Sequence, residues 1–170
     1  MKKPEECFRG RPIHKVLMVC LGNICRSPLA EYLLRDKLKK AGIEDIQVSS
    51  AGLLDMEGRA AAPDMVQLLS EQGIPMAAHR SRKLSGQLVL ENDLVIVMEV
   101  QQREEIVRAL PSLADKVWLL TQFGRVPEER DIADPYGKAS FHYKTCYNDI
   151  YFLVEGLYSF LLKNNGLARP

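Results

Sequence analysis

The amino-acid sequence predicts an α/β fold with three layers, a four-stranded parallel twisted sheet with helices on both faces. Short, mostly apolar segments alternate along the chain with longer segments of helical spacing. Apolar segments of this length are typical of parallel strands buried on both faces, and their alternation with helices indicates a sheet covered on both sides. The first of these strands leads directly into a loop and a helix start. Because ligands of such sheets bind beyond the carboxyl ends of the strands, we expect a binding loop there.

The eight predicted elements alternate in the order β-α-β-α-β-α-β-α. The first strand is predicted from an uninterrupted apolar run, and the helix after it from apolar residues at positions 29, 33, 34 and 38 with charges between them. Gly42 and Gly73 lie where the first two helices should end. The strands are predicted at residues 15–19, 46–50, 94–98 and 117–120, and the helices at 28–40, 60–72, 101–109 and 140–163.

Length and composition indicate one globular domain. The 170 residues are 46% hydrophobic and 26% charged, which is ordinary for a globular protein. We expect this domain over residues 15–165, after a polar, mobile leader at residues 1–14. The formal net charge of +1 argues against a nucleic-acid partner. The apolar runs are too short for membrane insertion, and no pattern indicates an oligomeric state.

Cysteine usage and the first residues predict a cytoplasmic protein. The four cysteines are too few and too unevenly spaced for a disulfide framework, and with the three histidines they show no metal-site spacing. The first fifteen residues contain no apolar stretch that resembles a secretory signal. We therefore expect neither a metal nor another cofactor.

The loop after the first strand combines three chemical features. Cys20 ends the apolar run, Arg26 follows six residues later, and Ser27 and Pro28 suit the N-cap and first turn of a helix. The backbone N–H groups of such a loop, together with the positive helix end, bind oxyanions such as phosphate. This setting favours a thiolate, and the arginine fork matches two phosphate oxygens. A nucleophile, an anion-binding loop and a guanidinium clamp predict phosphoryl transfer through cysteine.

Two motifs resemble those of the low-molecular-weight protein tyrosine phosphatases. Residues 20–28, Cys-Leu-Gly-Asn-Ile-Cys-Arg-Ser-Pro, resemble the signature loop of that family, and residues 131–136, Asp-Ile-Ala-Asp-Pro-Tyr, resemble its general-acid loop. The resemblance extends from about residue 16 to about residue 163. It implies a metal-independent phosphatase that hydrolyses phosphotyrosine through a phosphocysteine intermediate.

This resemblance, together with the chemistry of the residues, suggests the catalytic roles. Cys20 is expected to attack phosphorus, and Arg26 to bind the equatorial phosphate oxygens. Asp134 is expected to protonate the leaving oxygen and then to accept a proton from water. Asp131 is a rival for that role but would have to reach further. The residues expected to contact the substrate are Leu21, Gly22, Asn23, Ile24, Cys25, Ser27, Met56 and Tyr136.

Further residues are expected to support the loop. Ser27 suits donation of its hydroxyl to the Cys20 sulfur, and Asn23 tolerates the left-handed backbone that a tight anion-binding loop requires. By resemblance, Asn23 is hydrogen-bonded to Ser50 and His79, although His79 could instead be a solvated loop residue. Met-Glu at residues 98–99 stands where the family usually has Met-Asp, and we predict no role for it.

The second loop cysteine and the pocket walls leave alternatives open. Cys25 either forms a reversible disulfide with oxidised Cys20, as the resemblance suggests, or fills space beneath the loop. Tyr136 either stacks on an aromatic substrate or packs against the last helix. Gly137 and Met56 stand where relatives often carry aromatic residues, so we expect a more open pocket.

Three rival functions remain. Protein-arginine phosphatases share the loop but typically have threonine in place of Ile24 and phenylalanine in place of Tyr136; we expect Ile24 to pack on an aryl ring at the rim of the loop. An arsenate reductase would need further cysteines after the loop, and a silent anion-binding module would need neither nucleophile nor acid. The expected partners are a phosphotyrosine-containing protein substrate and a tyrosine kinase.

Overall fold

A four-stranded, all-parallel sheet in the order β2-β1-β3-β4 forms the middle layer of the fold. In this computed structural model, which describes residues 3–167, the strands are β1 (Lys15–Cys20), β2 (Gln47–Gly52), β3 (Leu94–Val97) and β4 (Val117–Leu119). β1 lies between β2, with Cys20 opposite Gly52, and β3, with Val19 opposite Val97. The predicted fold class is confirmed.

Helices cover both faces of this sheet, and two of them are not predicted from the sequence. The helices are α1 (Pro4–Cys7), α2 (Arg26–Lys40), α3 (Pro63–Glu71), α4 (Gly86–Glu91), α5 (Val100–Ala109) and α6 (Ser140–Asn164), with 3₁₀ turns at Pro111–Lys116 and Leu120–Phe123. The unpredicted helices are α1 and α4, each of six residues or fewer, and α4 begins where the Ser85 hydroxyl accepts the Leu88 N–H. None of the helices within residues 3–167 is long and apolar enough to cross a membrane.

The side chains of β1 divide between two apolar cores, one on each face of the sheet. Val16, Met18 and Cys20 belong to the larger core, which includes buried residues of α2 and α6. Leu17 and Val19 belong to the smaller core beside α4 and α5. Because strand side chains alternate between faces, this division directs the Cys20 side chain toward the start of α2.

The described part of the expected leader packs against the domain, so the expectation of a mobile leader is corrected for residues 3–14. Phe8 is buried, with its ring 6.4 Å from the Trp118 ring and 6.1 Å from the Phe160 ring. The Ile13 backbone donates to the Asn165 side chain at 2.9 Å and accepts from it at 2.8 Å. The mostly polar composition of this segment gave no indication that Phe8 and Ile13 are buried. Residues 1 and 2 lie outside the described residues.

Candidate active site

The loop between β1 and α2 surrounds the Cys20 sulfur with hydrogen-bond donors. Cys20 is the last residue of β1 and is buried. Its Sγ lies 3.0 Å from the Ser27 hydroxyl and accepts the Asn23 backbone N–H at 3.3 Å. α2 begins at Arg26, one residue before Ser27, so Ser27 is not the N-cap that the sequence suggested. Its hydroxyl is directed at the sulfur instead, where donated hydrogen bonds stabilise a thiolate.

Asn23 holds the loop in shape through four hydrogen bonds besides the one from its backbone N–H to Cys20. Its φ of 55° confirms the predicted left-handed backbone. The side-chain amide donates to the Ser27 and Ser50 hydroxyls at 2.9 and 2.8 Å, and Oδ1 accepts the Arg82 backbone N–H at 3.0 Å. The Asn23 carbonyl lies 2.8 Å from His79 Nε2. Since a carbonyl only accepts, this nitrogen of the buried His79 carries the proton. The structure thus brings both expected support residues to Asn23.

The end of β2 lies directly beneath the loop. A Cβ atom added at Gly52 would be 2.9 Å from backbone atoms of Leu21, Gly22 and Asn23. Real Cβ atoms essentially never approach that closely. The loop therefore rests on a backbone surface that only glycine provides.

Arg26 is buried and binds two carboxylates. Its Nη1 donates to Glu99 and, at 2.8 Å, to the Ile132 carbonyl, while Nη2 donates to Asp134 Oδ2 at 2.9 Å. Burial opposes its charge, but the negative groups of Cys20, Asp134 and Glu99 together raise the pKa of Arg26 above its ordinary value. Its Nε–H is buried without a hydrogen-bond partner among residues 3–167. Because buried donors are almost always paired, this N–H is suited to an anionic ligand.

The acid loop is attached to the carboxyl end of β3. The Ile132 N–H donates to the Met98 carbonyl at 2.8 Å, and Asp131 Oδ1 accepts the Val100 N–H at 2.8 Å. Asp131 is thereby held at the first turn of α5 and not at Arg26. Asp134 points to Arg26, and its Oδ1 accepts the Tyr136 N–H at 3.2 Å. Of the two candidate acids, only Asp134 contacts the buried guanidinium in the described structure.

Partly exposed side chains form the walls around this centre. The side chains of Leu21 and Tyr136 are 42% and 51% exposed, which leaves them available to a substrate. Met56 is half-buried, and a Cβ added at Gly22 would lie 3.6 Å from Met56 Cγ and 3.7 Å from Ile24 Cγ1. Ile24 is only 5% exposed. Ile24 is therefore mostly covered, beside Gly22 and Met56, and its packing on an aryl ring stays a prediction.

Cys25 and Cys146 are buried thiols near the same centre. Burial raises the pKa of Cys146 to about 12, and burial with the nearby negative groups raises the pKa of Cys25 well above its ordinary range. Both are free cysteines, as are Cys7 and Cys20. In the described part of the chain, no three His, Cys, Asp or Glu side chains are placed so that they could hold a metal ion.

Sequence reasoning missed three residues that support this arrangement. Glu99 binds Arg26, and the Gln102 amide in turn donates to Glu99 at 2.9 Å. Glu31 accepts the Ser50 hydroxyl at 2.5 Å. The signal for Glu99 was its position directly after β3, since the carboxyl ends of parallel strands meet at one edge. Glu31 and Gln102 lie on helices among other polar residues, and only the fold distinguishes them.

Comparison with known proteins agrees with this geometry. The family model for low molecular weight phosphotyrosine protein phosphatase matches residues 15–166. The chain belongs to this family. A relative from Ralstonia nicotianae, a probable low molecular weight protein-tyrosine-phosphatase named EpsP, is 40% identical over 126 residues, which are 74% of this chain and 81% of EpsP.

Solved structures of similar sequence share the fold. The low molecular weight protein tyrosine phosphatase from T. tengcongensis has a TM-score of 0.80 and 34% identity, covering 86% of this chain and 99% of its own. The YwlE arginine phosphatase from Geobacillus stearothermophilus has a TM-score of 0.80 and 33% identity, covering 88% of this chain and 94% of its own. Solved structures that resemble this chain are thus described with two different activities.

Proposed function

We propose that this member of the family hydrolyses phosphotyrosine in proteins through a phosphocysteine intermediate, without a metal or other cofactor. The observation that carries the proposal is the buried Arg26, which contacts Asp134 and keeps one N–H without a partner in the described structure. Beside it, Cys20 Sγ accepts the Asn23 backbone N–H in the loop. A nucleophile, an anion-binding donor and a carboxyl group therefore share one site.

In the first step, Cys20 Sγ attacks phosphorus, and the bond from phosphorus to the tyrosine oxygen breaks. Asp134 in its acid form gives its proton to that oxygen, so that a neutral phenol leaves. The Arg26 N–H groups and the loop N–H groups bind the phosphate oxygens as charge redistributes over them. Glu99 keeps the guanidinium in place while Asp134 turns from it to the leaving group.

In the second step, water attacks the phosphocysteine, and the bond between sulfur and phosphorus breaks. The Asp134 carboxylate takes a proton from the attacking water, which regenerates the acid for the next cycle. Cys20 leaves as a thiolate, and a hydrogen bond from Ser27 stabilises that charge. The support of Ser50 and His79 for Asn23 keeps this geometry through both steps.

Protein-arginine phosphatase activity is the second candidate, because the YwlE arginine phosphatase has the same fold and Gly137 follows the acid loop. Ile24 favours phosphotyrosine. Its buried, apolar side chain offers no hydroxyl to the polar phosphoguanidinium group, whereas it extends the apolar surface near Met56. Tyr136, half exposed, is suited to stack on a phenyl ring.

We further propose a cytosolic setting in which a tyrosine kinase produces the substrate. The four cysteines are all free thiols, as expected in a reducing compartment. A thiolate at Cys20 would be oxidised readily, and we propose that Cys25 then protects it by forming a disulfide. Cys25 is buried in the same short loop, which supports this pairing.

The proposed function is tested by kinetics on matched phosphotyrosine and phosphoarginine peptides with chelator present. We expect the protein to prefer phosphotyrosine and to be indifferent to chelator, and Cys20→Ser to lose turnover while still binding phosphate. Ile24→Thr should gain relative activity on phosphoarginine. A wild-type preference for phosphoarginine, or turnover by Cys20→Ser, would overturn the proposal.

A further inference from the structure

A chain of buried hydrogen bonds leads from the active-site loop to a carboxylate on α2. The chain runs from Cys20 Sγ through the Ser27 hydroxyl, the Asn23 amide and the Ser50 hydroxyl to Glu31 Oε2. The Ser50–Glu31 distance is 2.5 Å, and Glu31 is 7% exposed. The chain thus ends on a buried acceptor of α2, and three side chains separate this acceptor from the sulfur.

The outer end of the chain faces a groove. This groove, of about 790 Å³, lies beside β2 between α2 and residues 73–82, and its lining includes Glu31, Ser50 and His79. On the groove side, Glu31 Oε1 accepts from Arg35 Nη1 at 2.9 Å. The Arg35 side chain is 54% exposed and can leave this pair without burying a charge.

The direction of each hydrogen bond in the chain follows from its two ends. The Arg82 backbone N–H can only donate, so Asn23 Oδ1 faces it and both amide hydrogens face the two serines. Ionised Glu31 can only accept, so the Ser50 hydroxyl donates to it and accepts from Asn23. The Ser27 hydroxyl likewise accepts from Asn23, which leaves its own hydrogen to be donated.

That hydrogen has two acceptors within reach. The Cys20 sulfur lies 3.0 Å from Ser27 Oγ, and the Ala51 carbonyl lies 3.5 Å from it. While Asn23 is held against both serines, the oxygen of Ser27 stays close to the sulfur. If Ser50 lost its acceptor, its hydroxyl would rotate, Asn23 would loosen, and the Ser27 hydrogen would turn to Ala51 for part of the time.

We propose that Glu31 is a positioning residue for the thiolate. By accepting from Ser50, it holds the Ser50 hydroxyl in place as an acceptor for Asn23. Asn23, which the Arg82 N–H orients, then keeps the Ser27 hydroxyl donating to the Cys20 sulfur. This inference rests on the proposed function, since it concerns the nucleophile and leaving group of that reaction. Glu31 acts by holding Ser50 and Asn23 in position and not through its charge, because these two neutral side chains stand between it and Cys20.

The test compares Glu31→Leu, which removes the acceptor, with Glu31→Gln, which keeps an acceptor without charge. In the full chain, the rate of Cys20 alkylation by iodoacetamide is measured against pH. With Glu31→Leu, we expect the profile to move upward by about one pH unit, as the loss of one hydrogen bond to a charged group predicts. Glu31→Gln should keep a profile near that of the wild type, because its amide oxygen can still accept from the Ser50 hydroxyl. Its NH₂ group would then face the groove, and Arg35 would move into solvent.

The matched control is Asp36→Leu. Asp36 is a second carboxylate of α2 on the same groove, but it pairs with Lys40 and not with Ser50. We expect its alkylation profile to coincide with that of the wild type. A shift in Asp36→Leu as large as that in Glu31→Leu would attribute the effect to groove electrostatics and overturn the proposal.

The single variant Ser50→Ala keeps the proposal falsifiable if Glu31→Leu is unstable, because an unshifted Ser50→Ala profile would also overturn it. Ser50→Ala removes the next link and should shift the profile in the same direction, and adding Glu31→Leu to it should cause no further shift. Additive shifts, an unshifted Glu31→Leu profile, or a Glu31→Gln shift equal to that of Glu31→Leu would each overturn the proposal. Failure of the proposed function would appear separately, as turnover by Cys20→Ser.

Discussion

At the scale of single residues, the site depends on what Arg26 binds. Its guanidinium holds Glu99 on one nitrogen and Asp134 on another, so a buried cation is paired on both sides. Removing one member of such a buried arrangement typically costs several kcal/mol, since the remaining charge is left without a partner. The two carboxylates differ in their surroundings. Glu99 is held by Gln102, whereas Asp134 lies on a loop and is partly exposed, as a proton donor must be.

Asp134→Asn should separate proton donation from structure. An amide can still contact Arg26, but it cannot give a proton to the leaving oxygen, so we expect kcat on a phosphotyrosine peptide to fall by ~10²–10⁴-fold. The loss should be much smaller for p-nitrophenyl phosphate, whose leaving group is a weaker base. Steady-state kinetics on both substrates measures this. Equal losses on the two substrates would assign Asp134 a structural role. Asp131→Asn is the control, and we expect it to change the ratio of kcat on the two substrates little.

Cys25→Ser should separate repair from catalysis. Peroxide converts the Cys20 thiolate to a sulfenic acid, and attack by Cys25 sulfur then forms a disulfide and releases water, which a dithiol reverses. We expect near-normal kcat in the variant before oxidation but a sharply lower recovery after peroxide and dithiol. Cys146 lies on α6, outside the short loop that holds both Cys20 and Cys25. Full recovery by the variant, with no Cys20–Cys25 linkage by mass spectrometry, would make Cys25 a packing residue.

At the scale of elements, the position of the loop depends on β1 and β2 ending together. Cys20 and Gly52 are partners at the ends of their strands, and the loop after Cys20 folds over Gly52. The acid loop is likewise attached at the end of a strand, because the Ile132 N–H donates to the Met98 carbonyl just after β3. Three adjacent strand ends therefore carry the nucleophile, its supporting surface and the general acid.

Gly52→Ala should disturb the loop more than the sheet. A methyl group at this position meets three backbone atoms at 2.9 Å, and because backbone cannot turn aside, the loop must move. We expect a loss of about 1–3 kcal/mol in the free energy of unfolding and a fall in kcat of tenfold or more. Gly86→Ala is the matched control, since its nearest contacts are Leu110 methyl groups at 3.8 and 3.9 Å. Urea denaturation and phosphatase assays compare the two. Wild-type activity in Gly52→Ala would show that the loop tolerates displacement.

Most elements could be predicted from the sequence because their signals are local. The apolar run before Cys20 and the spacing of α2 depend only on neighbouring residues, and so does the Asp-Pro-Tyr of the acid loop. Glu31 and Glu99 could not be assigned in this way, since their partners are 19 and 73 residues distant in sequence. The burial of Ile24 likewise depends on how the loop curls, which a linear pattern does not specify.

At the scale of the whole molecule, the chain before β1 closes the larger core at its end opposite the loop. Phe8 contacts Trp118 and Phe160, and Asn165 binds the backbone of Ile13. These contacts join the first and last helical segments of the described chain. They contribute to stability and lie at the amino-terminal end of β1, away from Cys20.

Phe8→Ala should therefore lower stability and leave catalysis unchanged. Truncating a buried phenylalanine leaves a cavity and loses apolar contact, and we expect a cost of about 3 kcal/mol in the free energy of unfolding. Phe152→Ala is the control, because this side chain is 71% exposed and its loss should change stability by no more than about 0.5 kcal/mol. Urea titrations of both variants measure the change in stability. The kcat of each variant, at a temperature where it remains folded, measures the effect on catalysis. A stable Phe8→Ala variant would mean that the leader packs loosely.

The groove beside β2 has a consequence for inhibitor chemistry. A compound that competes with phosphate at Cys20 and Arg26 must imitate a doubly charged anion. Such a compound crosses membranes poorly and binds to every enzyme with a similar loop. The groove lining contains neither Cys20, Arg26 nor Asp134. An uncharged molecule of about 790 Å³ or less that contacts Ser50 there would act on the loop from outside. Selectivity would then come from side chains such as Arg35 and Lys39, which the phosphoryl chemistry does not constrain.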